Sequence, residues 1–185
     1  MYRELTATDH LNVIGIGSDA LPDVALIVGA MAVQETGERF SAYLENPVRL
    51  RRFPCFVAEW RGMKVALGAC FGGPMAAVLV HTWCGAGVPT VVQLGWYGAL
   101  QHGTAFGDVI VPRHAERQDG TSDWYLPKGI LADSTPALSE AITATLTKRE
   151  LMASLLRLSA CGPDPPPNGG IGFRRPREAS SSKAV

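Results

Sequence analysis

Short apolar runs bounded by turn residues recur along the chain: Val24 to Val28, Phe56 to Trp60, Lys64 to Ala69, Thr90 to Leu94 and Asp108 to Val111. Their length and their Val, Leu and Ile content predict buried strands. Between them, Ala32 to Leu44 and Pro74 to Cys84 have helical character, the second opening with a proline at a first helical position after Gly72-Gly73. Strands alternating with helices predict an α/β fold of three αβα layers. The Arg61-Gly62 turn joins two neighbouring strands directly and breaks the alternation, so the central sheet is expected to be mixed. Pro136 to Leu158 reads as one helix whose apolar stripe slips. Leu138, Ile142 and Leu146 keep a four-residue step, and Leu151, Leu155 and Leu158 resume after a gap of five.

After Cys161 the pattern ends in GPDPPPNGGIGFRRPREASSSKAV, dominated by Pro, Gly, Ser and Arg. Such a composition buries too little apolar surface to offset the entropy of ordering it. Residues 1–22 are therefore expected to be an N-terminal arm, 23–158 an α/β domain and 159–185 a disordered tail. The 185 residues, 46% hydrophobic and 18% charged, suit one globular domain of ordinary size. Seventeen basic residues balance seventeen acidic ones, which leaves no global field to recruit nucleic acid or an anionic membrane. The N-terminus lacks a basic region leading into a long apolar run, and no stretch reaches the length of a membrane span, so the expected location is cytoplasmic. The widely spaced Cys55, Cys70, Cys84 and Cys161 signal neither a zinc site nor a disulfide framework and read as buried reduced thiols.

Chemistry enters at the turns. Gly15-Ile16-Gly17 with Ala20 imitates a dinucleotide fingerprint, but that motif needs a helix to begin there, and Pro22 interrupts one almost at once. Cys70-Phe71-Gly72-Gly73-Pro74 ends a strand and starts a helix, with exposed amides suited to an anion or to sugar hydroxyls. Gln93-Leu94-Gly95-Trp96-Tyr97-Gly98 ends another strand, and Val28-Gly29 a third. In open α/β sheets ligands bind in the crevice at the carboxyl ends of strands, so the three turns are expected to converge on one pocket. Asp119 to Pro127 reads as a polar loop at its rim. The histidines His81, His102 and His114 lack ligand spacing and read as structural or solvated.

Taken in order, the segments LIVG, LRRF, AEWRGMKVALGACFGGP, VVQLGWYGALQHGTAFGDVIVP and RQDGTSDWYLP, with His10-Leu11 before them, resemble the nucleoside phosphorylase family. That family includes uridine phosphorylases, hexameric purine nucleoside phosphorylases and nucleosidases. The likeness runs from about His10 to about Ala144. It implies cleavage of a nucleoside's N-glycosidic bond by phosphate or by water, in nucleoside salvage, with no metal and no organic cofactor. It also implies a homo-oligomer in which a neighbouring subunit completes each pocket.

Carried over by position, the resemblance makes Gly29 the phosphate-loop glycine, with Ala30-Met31 where an Asp-Pro usually follows. Arg51 corresponds to the arginine that enters the neighbouring subunit's phosphate site, and His10 to the histidine that contacts the ribose 5′-hydroxyl. Gly72, Gly73 and Tyr97 line the pocket, and Gly95 belongs to the phosphate turn. Gln93 takes the place of the principal phosphate-binding arginine, and Trp96 that of a threonine whose hydroxyl holds phosphate and ribose. A charge-assisted hydrogen bond contributes about 1.5–3 kcal/mol, so a neutral amide at that place weakens phosphate binding by about 10- to 150-fold. After Ala144 the family's base-reading loop, its acidic ribose-holding segment and its base-protonating aspartate are not found. The fold is thus expected to be C-terminally incomplete, and no catalytic acid is assigned. The alternative expectation is an impaired or inactive homologue that binds nucleosides or bases, or serves assembly.

Overall fold

In the computed structural model of the chain, residues 5–98, 105, 107–148 and the backbone of 153–158 are described. The chain divides into two compact units, Met1–Thr104 with Arg117–Ile130, and Ala105–Glu116 with Leu131–Val185.

The first unit contains strands β1 (Val24–Gly29), β2 (Glu45–Arg49), β3 (Cys55–Trp60), β4 (Met63–Cys70) and β5 (Val91–Leu94). They form one sheet in the order β2-β3-β4-β1-β5. β2, β3 and β4 are antiparallel neighbours, whereas β4, β1 and β5 run parallel, so the sheet is mixed as the Arg61-Gly62 turn predicts. Both turn residues have positive φ, 51° and 79°, the requirement of a type I′ hairpin whose twist matches its strands. The Arg61 guanidinium lies 4.7 Å above the Trp60 ring at the same turn.

Alternation along β1 feeds two cores. Ala25 and Ile27 enter a cluster with Leu79 and Trp83, while Val28 packs with Phe56 and Leu67 against Phe40 and Leu44. Helix α3 (Gly72–Ala86) supplies Leu79 and Trp83 on one side, and α2 (Val33–Ser41) supplies Phe40 on the other. Each fully buried large side chain contributes about 1.5–3 kcal/mol of transfer free energy. Helices on both faces of a mixed sheet give the three-layer α/β arrangement.

The expected arm is in part a helix. Residues Ala7–Ile14 form α1, started by a capping box in which Asp9 N–H donates to Thr6 Oγ1 at 3.2 Å and Thr6 N–H donates to Asp9 Oδ2 at 2.8 Å. Gly15 ends it at φ 86°. Only a three-residue 3-10 turn, Ser18–Ala20, follows Gly17, so the dinucleotide-like glycines have no helix N-terminus to aim at a pyrophosphate.

In the second unit β6 (Val109–Ala115) is flanked by β7 (Ala132–Asp133), antiparallel, and β8 (Ala153–Leu158), parallel. Helix α4 covers Pro136–Lys148. The continuous helix expected over Pro136 to Leu158 is therefore corrected to a helix followed by a strand. The break falls at the phase slip, because a helix continued through it carries the later leucines off the face of Leu138, Ile142 and Leu146. Ala153–Leu158 instead places its backbone in the ladder with Val109 to Ala115. Among the described residues no helix is long and apolar enough to cross a membrane. His102, Cys161 and the tail from residue 159 lie outside the described residues.

Candidate functional site

Strand register builds the site. Gly29 pairs with Cys70, and Val28 lies between Ala69 and Leu94, so the carboxyl ends of β4, β1 and β5 stand side by side. Ala30 N–H donates to Cys70 O at 2.8 Å, tying the first two turns together. A β-carbon built on Gly29 meets Leu94 O at 3.6 Å and Gly95 Cα at 4.0 Å, which brings the third turn against the first. The convergence of Gly29, Gly72-Gly73 and Gly95 expected from the sequence is thus present in one unit. Met31 and Phe71, just beyond two of the strand ends, are exposed, as are Trp96 and Tyr97 beyond the third. Trp96 stands out at 76% exposure, and Gln93, beside Ile27 in the ladder, is exposed as well.

At the second turn α3 begins with Gly72 at φ 79°, a conformation that glycine adopts without a β-carbon penalty. Gly73 is covered by the loop after Arg117. A β-carbon on Gly73 falls 3.2 Å from Asp119 Oδ2 and 3.7 Å from Asp119 Cγ. Asp119 Oδ1 accepts from Ser122 N–H at 2.9 Å and from Ser122 Oγ at 2.8 Å. These Ser122 bonds hold the Asp119 carboxyl below its ordinary range. The loop is anchored by Arg117, whose side chain is only 5% exposed. Its Nη2 donates to Asp123 Oδ1 at 3.1 Å and to the Leu126 and Pro127 carbonyls at 2.9 Å. In the sequence the loop reads only as a pocket rim. The Asp-Gly pair at 119–120 signals its turn, but nothing local signals where the carboxylate docks.

The residues tied by resemblance to a neighbouring subunit lie apart from these turns. Arg51 is exposed in the bend between β2 and β3. His10 is 4% exposed, with its ring 5.3 Å from that of His81 on α3, and a β-carbon on Gly85 falls 2.4 Å from His10 Nε2. His81 in turn lies 5.8 Å from the Tyr125 ring of the Arg117 loop. The histidine is thus packed between α1 and α3 within its own chain.

Other chemistry-bearing groups stand elsewhere. In the second unit His114 Nδ1 and Asp133 Oδ1, cross-strand partners on β6 and β7, are 2.6 Å apart. A cavity of about 340 Å³ at the amino end of β4 is lined by Asp19, Pro22, Val57 and Lys64, and Lys64 Nζ is engaged by Asp19 O. Cys55 and Cys70 are buried, and desolvation pushes the Cys55 thiol up to about 12, so neither acts as a thiolate. Cys84 is exposed, which corrects its reading as a buried thiol: its place on α3 points away from the core that Trp83 enters. Among the described residues no cluster of His, Cys, Asp or Glu has the makings of a metal site.

A sequence profile of the phosphorylase superfamily matches residues 24–163. The chain belongs to that superfamily, in its nucleoside phosphorylase branch. It is 33% identical over 97 residues to uridine phosphorylase from Klebsiella aerogenes, covering 50% of this chain and 38% of that enzyme. Against uridine phosphorylase from Escherichia coli strain K12 it is 32% identical over 112 residues, 56% of this chain and 44% of the enzyme. The chain therefore spans less than half the length of these relatives. A crystal structure of uridine phosphorylase from Vibrio fischeri ES114 superimposes with a TM-score of 0.70 at 20% identity, covering 79% of this chain and 62% of that one. This last likeness establishes a shared fold.

Proposed function

We propose that the phosphorylase-superfamily chain binds a nucleoside in the crevice at the ends of β4, β1 and β5 and cleaves its N-glycosidic bond, as the names of its uridine phosphorylase relatives suggest. The observation that carries this reading is the convergence of the Gly29, Gly72-Gly73 and Gly95 turns. Cleavage needs three things: room for a ribose on which positive charge builds, a base that leaves with negative charge, and a nucleophile beneath the sugar. In this reading the sugar sits against the three strand-end turns, and exposed Trp96 and Tyr97 offer aromatic faces for a base. Assembly into a homo-oligomer, with Arg51 and His10 reaching a neighbour's pocket, forms part of the proposal. For His10 it requires α1 to leave its place against α3. The test is incubation with uridine, inosine and adenosine, with and without phosphate, while free base is measured by chromatography. Release of base supports the reading, and absence of release under both conditions removes catalysis by this chain.

The exposure of Trp96, in a turn without a cationic side chain, favours a second reading in which a nucleoside or base is bound and not consumed. It expects a raised melting temperature with intact ligand recovered afterwards.

A further inference from the structure

The second unit holds a cavity of about 250 Å³ beside the start of α4, with Arg113, His114, Asp133, Ser134, Ser139 and Glu140 in its lining. Pairing of β6 with β7 sets His114 opposite Asp133, and His114 Nδ1 lies 2.6 Å from Asp133 Oδ1. Ser134 Oγ donates its one hydroxyl hydrogen to the Arg113 carbonyl at 3.2 Å, since a carbonyl can only accept. Ser139, only 6% exposed, is therefore the donor in its 2.8 Å bond to Ser134 Oγ. With both hydroxyl hydrogens committed, the serines and the second carboxylate oxygen of Asp133 have only lone pairs left to offer. Two opposite charges complete the lining. Arg113 and Glu140 are exposed and are not paired with each other, and among the described residues no ion pair or hydrogen bond engages either side chain.

We propose that this cavity is a binding site for a small α-amino acid in its zwitterionic form, with the carboxylate on Arg113 and the ammonium on Glu140, Asp133 and Ser139. The planar guanidinium of Arg113 matches a carboxylate with two parallel donors. An ammonium carries three donors and no acceptor, which is the complement of a surface made of two carboxylates and hydroxyl lone pairs. A ligand of one sign fits worse. A simple anion meets Asp133 and Glu140 beside the one arginine, and a simple amine leaves the arginine unpaired as a like charge at its side. A zwitterion answers both charges at once. The volume sets the size of the side chain: at about 250 Å³ the cavity lies below the range of about 300–1,000 Å³ typical of drug-sized ligands, so it suits alanine or serine and not an aromatic residue. The site belongs to the second unit alone and stands whether or not the strand-end crevice binds a nucleoside.

The test is titration calorimetry of the full chain with L-alanine, with ethylamine, which lacks the carboxylate, with propionate, which lacks the ammonium, and with L-tryptophan. Alanine is expected to bind, each fragment to bind at least about tenfold more weakly, and tryptophan to give no heat. Glu140→Gln and Arg113→Gln alter exposed side chains, so both variants are expected to melt with the parent. Each is expected to weaken alanine binding by about 10- to 150-fold, the worth of one charge-assisted contact. Absence of heat with alanine in the parent overturns the proposal. So does a fragment that binds as tightly as alanine, or a parent-like alanine affinity in both variants. Tryptophan binding as tightly as alanine overturns the placement of the ligand inside the cavity.

Discussion

At residue scale the site is made by what glycine permits and by what replaces the usual side chains beside it. A β-carbon built on Gly29 stands at ordinary contact distance, 3.6 Å, from Leu94 O, so the β1 and β5 turns lie side by side. Gln93 and Trp96 stand where the resemblance places an arginine and a threonine. Gln93→Arg together with Trp96→Thr is expected to tighten phosphate binding by about 10- to 150-fold, the worth of one charge-assisted contact. Titration calorimetry reads this directly, and an unchanged affinity shows that the turn is not an anion site. The glycines were legible in the sequence because each follows an apolar run. The docking of Asp119 beside Gly73 was not, since it joins positions far apart in the chain that no local pattern links. His10 shows the same limit. Its place between α1 and α3 is held by Gly85, where a methyl group would fall 2.4 Å from Nε2. Gly85→Ala gains helix propensity of up to about 1 kcal/mol but displaces the buried His10 ring, and overpacking costs of about 1–3 kcal/mol are typical. A net loss of stability in urea is expected, and a variant as stable as its parent rules out the close contact.

At the scale of elements, legibility followed the strength of the local period. The buried strands were found within one or two residues except β6, which runs on to Ala115, and the Arg61-Gly62 hairpin was found with its turn chemistry. β2 was missed because Glu45–Arg49 alternates weakly and lies fully exposed at the sheet edge. α1 was missed because eight residues give little more than two turns of stripe, although Thr6 and Asp9 carry the signature of a capping box. That box is expected to matter: Thr6→Ala leaves first-turn amides without a partner and should cost about 1 kcal/mol. Hydrogen exchange of α1 is the measurement, and unchanged protection there means that packing on α3 holds the helix unaided. The α4 region failed for a different reason. Leu155 and Leu158 fit a helical spacing and a strand content alike, and long-range pairing of Ala153–Leu158 with β6 decided for the strand.

At the scale of the whole molecule, charge balance hides a directional pH response. The carboxyls of Asp9 and Asp119 both sit below the ordinary range, Asp9 through its bonds with Thr6 and Asp119 through those with Ser122. A depressed folded-state pKa means that the unfolded chain binds protons more readily. The stabilisation is therefore fully present above the unfolded carboxylate value and is lost as pH falls through the folded one. Both side chains lie at the surface, so the effect is screened and shared between two distant places, the start of α1 and the start of α3. The urea midpoint is accordingly expected to stay flat through neutral pH and to fall below about pH 4. Asp119→Asn removes one of the two carboxyls held below the ordinary range and should make that fall shallower, with little change in the midpoint's pH independence near neutrality. Chemical denaturation of parent and variant at several acidic pH values decides it. Parallel acid limbs mean that Ser122 does not hold the Asp119 carboxylate in solution.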